Sequence, residues 1–159
     1  MVGDAQDRMP PIPDNRMTAE QKKAVDEFKA ARNADISGPF VPLLRSPEVM
    51  NRSRAMGDYL RFRSVLPPRL SEFMILLTAR SWTQQYEWDA HRQLALNAGV
   101  SDATVRAIAE GRRPRPMTEE EEILYDFFDE ITRNQSVSDP TYARVVGKFG
   151  EQGIVDAAG

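Results

Sequence analysis

Eleven prolines divide this chain, and their positions limit what it can fold into. Proline has no N–H and clashes with the turn before it, so it belongs at helix starts and in connections. Here the prolines fall at Pro10, Pro11, Pro13, Pro39, Pro42, Pro47, Pro67, Pro68, Pro114, Pro116 and Pro140. Between these marks apolar residues recur at helical spacing, and no run alternates as a half-buried strand would. The chain therefore reads as an all-α bundle of six to eight helices.

Residues 1–16 read as a disordered tail and 17–159 as one helical domain. Thr18 and Gln21 form a capping box that opens a first helix, running to Arg32. A loop follows through Gly38-Pro39-Phe40. Ser46 caps a second helix with Pro47 at its first position; Met50, Met56, Tyr59 and Leu60 are its expected buried side. Pro67-Pro68 starts a third helix through Arg80. Ser81 or Thr83 caps a fourth, which stops at Gly99. Ser101 caps a short fifth, ending at Gly111, and Thr118, boxed with Glu121, caps a sixth. Asp139-Pro140 opens a seventh. Gly153 to Gly159 reads as a helix cut short, as if the natural chain continued or packed on a partner.

Composition excludes several classes of function. There is no cysteine, which removes disulfides, thiolate nucleophiles, iron–sulfur clusters and zinc–thiolate sites. A net charge of -3 argues against a nucleic-acid partner, which usually needs an excess of Lys and Arg. The longest aliphatic run, Met74 to Leu77, is too short to span a bilayer, so no membrane partner is expected. Asp4, Asp7 and the early prolines stand where a signal peptide needs apolar residues, which gives the expectation of a cytoplasmic protein.

The third helix is the informative one. Leu70, Phe73, Met74 and Leu77 make an apolar stripe, and Ile75, Leu76 and Ala79 cover much of the rest. A helix apolar nearly all round is buried in a bundle. Glu72 sits within it. A buried carboxylate must be paired or stay protonated, and a desolvated, unpaired one should bind its proton more tightly. On the fourth helix Gln84, Glu87, Trp88, His91, Leu94, Ala95 and Ala98 share one face. Glu87 and His91, four apart, can touch, and a carboxylate beside an imidazole prepares it for acid–base work. His91 is the only histidine. The bland readings are a surface ion pair for Glu87 with His91, and a Ser81/Gln84 capping box for Gln84.

The stretches Ser71 to Leu76, Gln85 to His91 and Ala95 to Ser101 resemble the carboxymuconolactone decarboxylase family, whose redox relatives are the alkylhydroperoxidase D proteins. The redox branch carries a glutamate followed by Cys-x-x-Cys-x-x-x-His. In that pattern the glutamate precedes the histidine by the separation found here (91 − 72 = 19). The two cysteine positions fall on Gln84 and Glu87. The resemblance extends over about Gly38 to Gly159.

The resemblance implies a helical fold of the decarboxylase type, a homo-oligomer (trimer or hexamer), and a pocket near a subunit interface lined by the glutamate–histidine pair. Peroxidase chemistry belongs to the cysteine branch and cannot be carried over, because neither Gln nor Glu can run a disulfide cycle. The decarboxylase branch uses no metal and no organic cofactor. The expected catalytic residues are therefore Glu72, Glu87 and His91. Arg80, Gln84, Tyr86 and Trp88 are the expected substrate-binding residues for a small carboxylate or lactone, with Arg92 a further candidate for its carboxylate.

A metal site of Glu72, Glu87 and His91 is the weakest rival, because no further His completes a usual ligand set; two other rival classes remain. One is a non-catalytic oligomeric scaffold. The other is a helix-turn-helix DNA reader over 94–109, since Ala98-Gly99-Val100-Ser101 followed by Thr104-Val105-Arg106 has that look. The same residues also make an ordinary Gly-stop, Ser-cap corner.

Overall fold

The computed structural model describes residues 7–159, so the first six positions of the expected tail lie outside the described residues. The described residues form eight α-helices and one 3-10 turn, with no strand. Their contacts divide the chain into two compact units between Gly57 and Asp58. That division falls inside a helix.

In the first unit, residues 10–16 make local contacts. Asp14–Arg16 form the 3-10 turn, Ile12 packs against the unit's core, and Arg45 donates to the Pro10 carbonyl at 2.7 Å. Prolines on either side of Ile12 restrict the backbone, which lowers the entropy lost in fixing it. Helix α1 spans Ala19–Arg32 and opens on the expected Thr18/Gln21 box. The expected loop at Gly38-Pro39-Phe40 leads straight into a short helix, α2, Phe40–Leu43. Pro39 and Pro42 do not prevent it, because the first N–H groups of a helix have no internal partner to lose. Helix α3 spans Pro47–Phe62. Ala24, Phe28, Leu44 and Met50 form this unit's core, with Phe28 and Phe40 ring centroids 5.0 Å apart. Met56 is exposed, contrary to expectation, because at 3.6 residues per turn it lies on a different face from Met50.

In the second unit the centre is α4, Pro68–Ser81. It packs against α5 (Gln85–Asn97), α6 (Asp102–Ala109) and α7 (Glu119–Asn134), and α7 packs against α8 (Asp139–Ala158). Leu70, Phe73, Leu76 and Leu77 from α4 meet Val105, Ile108, Leu124, Phe127 and Val145 in one core. The near-continuous apolar surface of α4 is thus satisfied by neighbours on most of its sides. Ser101 and Thr118 cap α6 and α7 as read. Among the described residues, no helix is long and apolar enough to cross a membrane.

Two local expectations fail at helix ends. Neither Ser81 nor Thr83 caps α5, and the Ser81/Gln84 box is absent. Ser81 is spent as the last residue of α4, Thr83 turns through φ 52°, and the Gln84 N–H donates back to the Ala79 carbonyl at 2.8 Å. The corner is therefore closed from the α4 side. The segment from Gly153, read as helical, is the second half of α8, which breaks at Gly150 (φ 72°, ψ 176°) and then resumes.

Candidate active site

The site is built where the end of α3 meets the start of α4. The Ser71 hydroxyl donates to the Leu60 carbonyl at 3.4 Å, which ties these two elements side by side. Glu72 follows on α4 and is buried. From α5, Trp88, His91 and Ala95 form the inward line: His91 and Ala95 are buried, and Trp88 packs partly buried against the core. Leu94 and Gln84, read on that same face, are exposed, because the inward arc of α5 is narrower than the periodicity allowed.

Glu72 and His91 meet directly: Nδ1 of the imidazole lies 2.7 Å from Oε2 of the carboxylate. Both residues keep only 8% of their surface. An ionised carboxylate can only accept, so this contact favours the tautomer that carries its hydrogen on Nδ1 and leaves the Nε2 lone pair free. Nε2 lies 3.7 Å from Oε2 of Glu87, too far for a hydrogen bond. The Glu87 side chain is 35% exposed, so Nε2 lies on the side of the pair nearer to water. The two carboxylates thus stand at different nitrogens of the ring. The distant Glu72 orients the ring, and the i, i+4 neighbour Glu87 stands at its free nitrogen.

A fourth group was not foreseen. Nη2 of Arg61, in the last turn of α3, lies 3.7 Å from the other Glu72 oxygen, Oε1. Its guanidinium carbon sits 4.9 Å from the centre of the Phe62 ring. Nothing in the spacing of the sequence links residue 61 to residue 72, because they sit on different helices. The one legible signal was a cation in the final turn of α3 directly before the Pro67-Pro68 break.

The other expected site residues lie elsewhere. Nε of Arg80 donates to the Ala109 carbonyl at 2.9 Å. Arg80, Gln84 and Trp88 share an open groove of about 380 Å³ with Thr83, Gln85 and Ala109. Glu72 and His91 do not line that groove. Tyr86 is half-exposed and Arg92 is exposed. In the corner read as a helix-turn-helix, α6 turns Thr104, Val105, Ala107 and Ile108 into the core, and Arg106 pairs with Asp102 at 2.8 Å.

The comparisons bear on the same segment. Searches of curated proteins and of solved structures gave no match. Residues 47–122 match the profile of the Carboxymuconolactone decarboxylase family. The matched stretch runs from α3 into the first turn of α7, narrower than the 38–159 of the sequence resemblance, and it holds Arg61, Glu72, Glu87 and His91. Over this stretch the chain is similar to the Carboxymuconolactone decarboxylase family, and its sequence contains no cysteine.

Proposed function

We propose that this protein catalyses proton transfer on a small carboxylated or lactone substrate without a cofactor, with decarboxylation of a lactone-type acid as the leading reaction. The observation that carries the reading is the buried 2.7 Å contact between His91 and Glu72, which leaves Nε2 free beside Glu87. In decarboxylation the bond between the carboxylate and its carbon breaks, CO2 leaves, and the electron pair passes into the conjugated lactone. The resulting enolate then takes a proton at carbon. Water supplies that proton: it is taken up at Nε2 of His91, giving an imidazolium that the Glu72 carboxylate stabilises, and it passes from Nε2 to the carbon, which returns the ring to its Nδ1–H form. Glu87, 3.7 Å from Nε2, stands on the route by which a proton returns to His91.

A thiol peroxidase reading finds no support, since both cysteine positions are Gln84 and Glu87. The homo-oligomer belongs to the same proposal. Trp82 is 78% exposed and Phe62 68% exposed, which leaves large aromatic surfaces that a second copy could cover.

The experiment is CO2 release from γ-carboxymuconolactone and related lactone acids, run in heavy water with product deuteration as the proton readout. Turnover with one deuterium placed at carbon is the expected result. Absence of turnover across the whole set would overturn the decarboxylase assignment.

A further inference from the structure

We infer that Arg61 is the residue that takes the substrate's carboxylate at the Glu72–His91 site, a role the sequence reading gave to Arg80 or Arg92. The inference rests on the acid–base reading proposed above and adds the recognition element it lacks. Two carboxylates, Glu72 and Glu87, flank one imidazole. A carboxylated substrate entering there meets like charge, so a cation has to face the same place. Arg61 is that cation.

Its bonding is incomplete in a way that suits the task. Oε2 of Glu72 is taken by His91, and Oε1 is 3.7 Å from Nη2 of Arg61, an attraction without a hydrogen bond. Nε of Arg61 is buried and has no hydrogen-bond partner. The Nε–H and Nη2–H donors share one edge of the guanidinium, the edge that grips a carboxylate with two parallel bonds. The protein leaves that edge unfilled. The side chain keeps 26% of its surface, so an anion can reach it from solvent. Nε itself is covered, so the two-bond grip requires the guanidinium to swing off Glu72 toward the ligand. What it gives up is a long ion pair, and the Phe62 ring lies under its plane.

The other arginines near the core are committed. Arg80 donates to a backbone carbonyl, and Arg69 pairs with Glu120 and Glu121. Arg92 follows His91 directly and is therefore turned about 100° away around α5.

The test uses glutarate, a stable dicarboxylate, with dimethyl glutarate as its uncharged match. The readouts are the imidazole nitrogen signals of His91, the only histidine, and the Arg61 Nε–H signal, assigned by its loss in Arg61→Lys. Glutarate should move both sets of signals, and dimethyl glutarate should move neither. Arg61→Gln should weaken glutarate binding by about tenfold or more, and Arg61→Lys by less, since it keeps charge and loses the fork. Arg80→Gln should leave binding within about twofold. Should Arg61→Gln fail to fold, Arg61→Lys carries the comparison. Equal response to the diester, no response to glutarate, or binding that follows Arg80 instead of Arg61 would each overturn the inference. The two proposals fail separately. Arg61-dependent glutarate binding without CO2 release defeats the decarboxylase reading alone, and CO2 release with an unchanged KM in Arg61→Gln defeats this inference alone.

Discussion

Glu72 and His91 are joined by a single 2.7 Å contact across two helices, with the carboxylate on α4 and the imidazole on α5. The contact fixes which ring nitrogen is available, because the buried carboxylate claims Nδ1 and leaves Nε2 toward Glu87. It also ranks the residues. A group that holds the ring should matter more than one that stands 3.7 Å from it.

That ranking gives the first prediction. Positioned acid–base groups contribute on the order of 10²–10⁴ in rate. His91→Ala and Glu72→Gln should each lower turnover by about that range, measured as CO2 release per site, with the helical circular dichroism spectrum unchanged. Glu87→Gln should cost less if Glu87 assists, and as much if it carries the proton itself. Full activity in both His91→Ala and Glu72→Gln would remove these residues from the mechanism.

The second prediction concerns α8. Gly150 adopts φ 72°, ψ 176°, a region that side chains other than glycine rarely enter. A Cβ at Gly153 would lie 2.3 Å from the Cβ of Phe149, while one at Gly147 meets nothing within 4 Å. Gly153→Ala should therefore destabilise by about 1–3 kcal/mol, as overpacking does. Gly147→Ala should be neutral or stabilise by up to about 1 kcal/mol, as a helix-interior glycine replacement does. Denaturant midpoints for the two variants check the contrast, and equal effects would contradict the break and its packing.

A third prediction is a pH dependence at the α7–α8 corner. Glu130 is held below the usual carboxylate range, first by the Thr141 hydroxyl at 2.6 Å and then by the Ser138 N–H at 2.7 Å. A group whose folded pKa is depressed adds stability that is present above its unfolded pKa and is lost as pH falls through the folded one. Glu130→Gln should lower the melting temperature at neutral pH, and the two proteins should converge as the solution is acidified below the ordinary glutamate range. A difference that persists unchanged into acid would show that the carboxylate's charge is not what the corner uses.

Assembly is the fourth. Light scattering should give a particle mass well above the 18.0 kDa of one chain. Trp82→Glu should shift that mass downward, because Trp82 is exposed and Trp88 is packed on the core. A monomer at micromolar concentration would count against the oligomer and against any role of a second copy in the site.

How far the sequence foretells this molecule depends on what each signal measures. Thr18, Ser101 and Thr118 were legible as caps because capping is a local bond between near neighbours. Ser81 and Thr83 misled because the end of α4 uses the same residues that a start of α5 would need. The burial of Glu72 followed from the apolar surface around it, and its partner from a separation matched to a known family. Arg61 was invisible because its proximity to Glu72 is set by the angle between α3 and α4, which no periodicity encodes. Arg80 shows the converse: sharing a helix with Glu72 says nothing about which carbonyl it will find.

The most direct test of the account is the tautomer of the lone histidine, read by long-range proton–nitrogen correlation on the uniformly nitrogen-15-labelled protein. Because His91 is the only imidazole, its two nitrogen signals need no separation from others. Above the pH at which the ring is neutral, the account predicts a protonated Nδ1 and a bare Nε2 in the wild type, and a mixture of tautomers in Glu72→Gln. An Nε2–H tautomer in the wild type, or a spectrum that Glu72→Gln leaves unchanged, would contradict it.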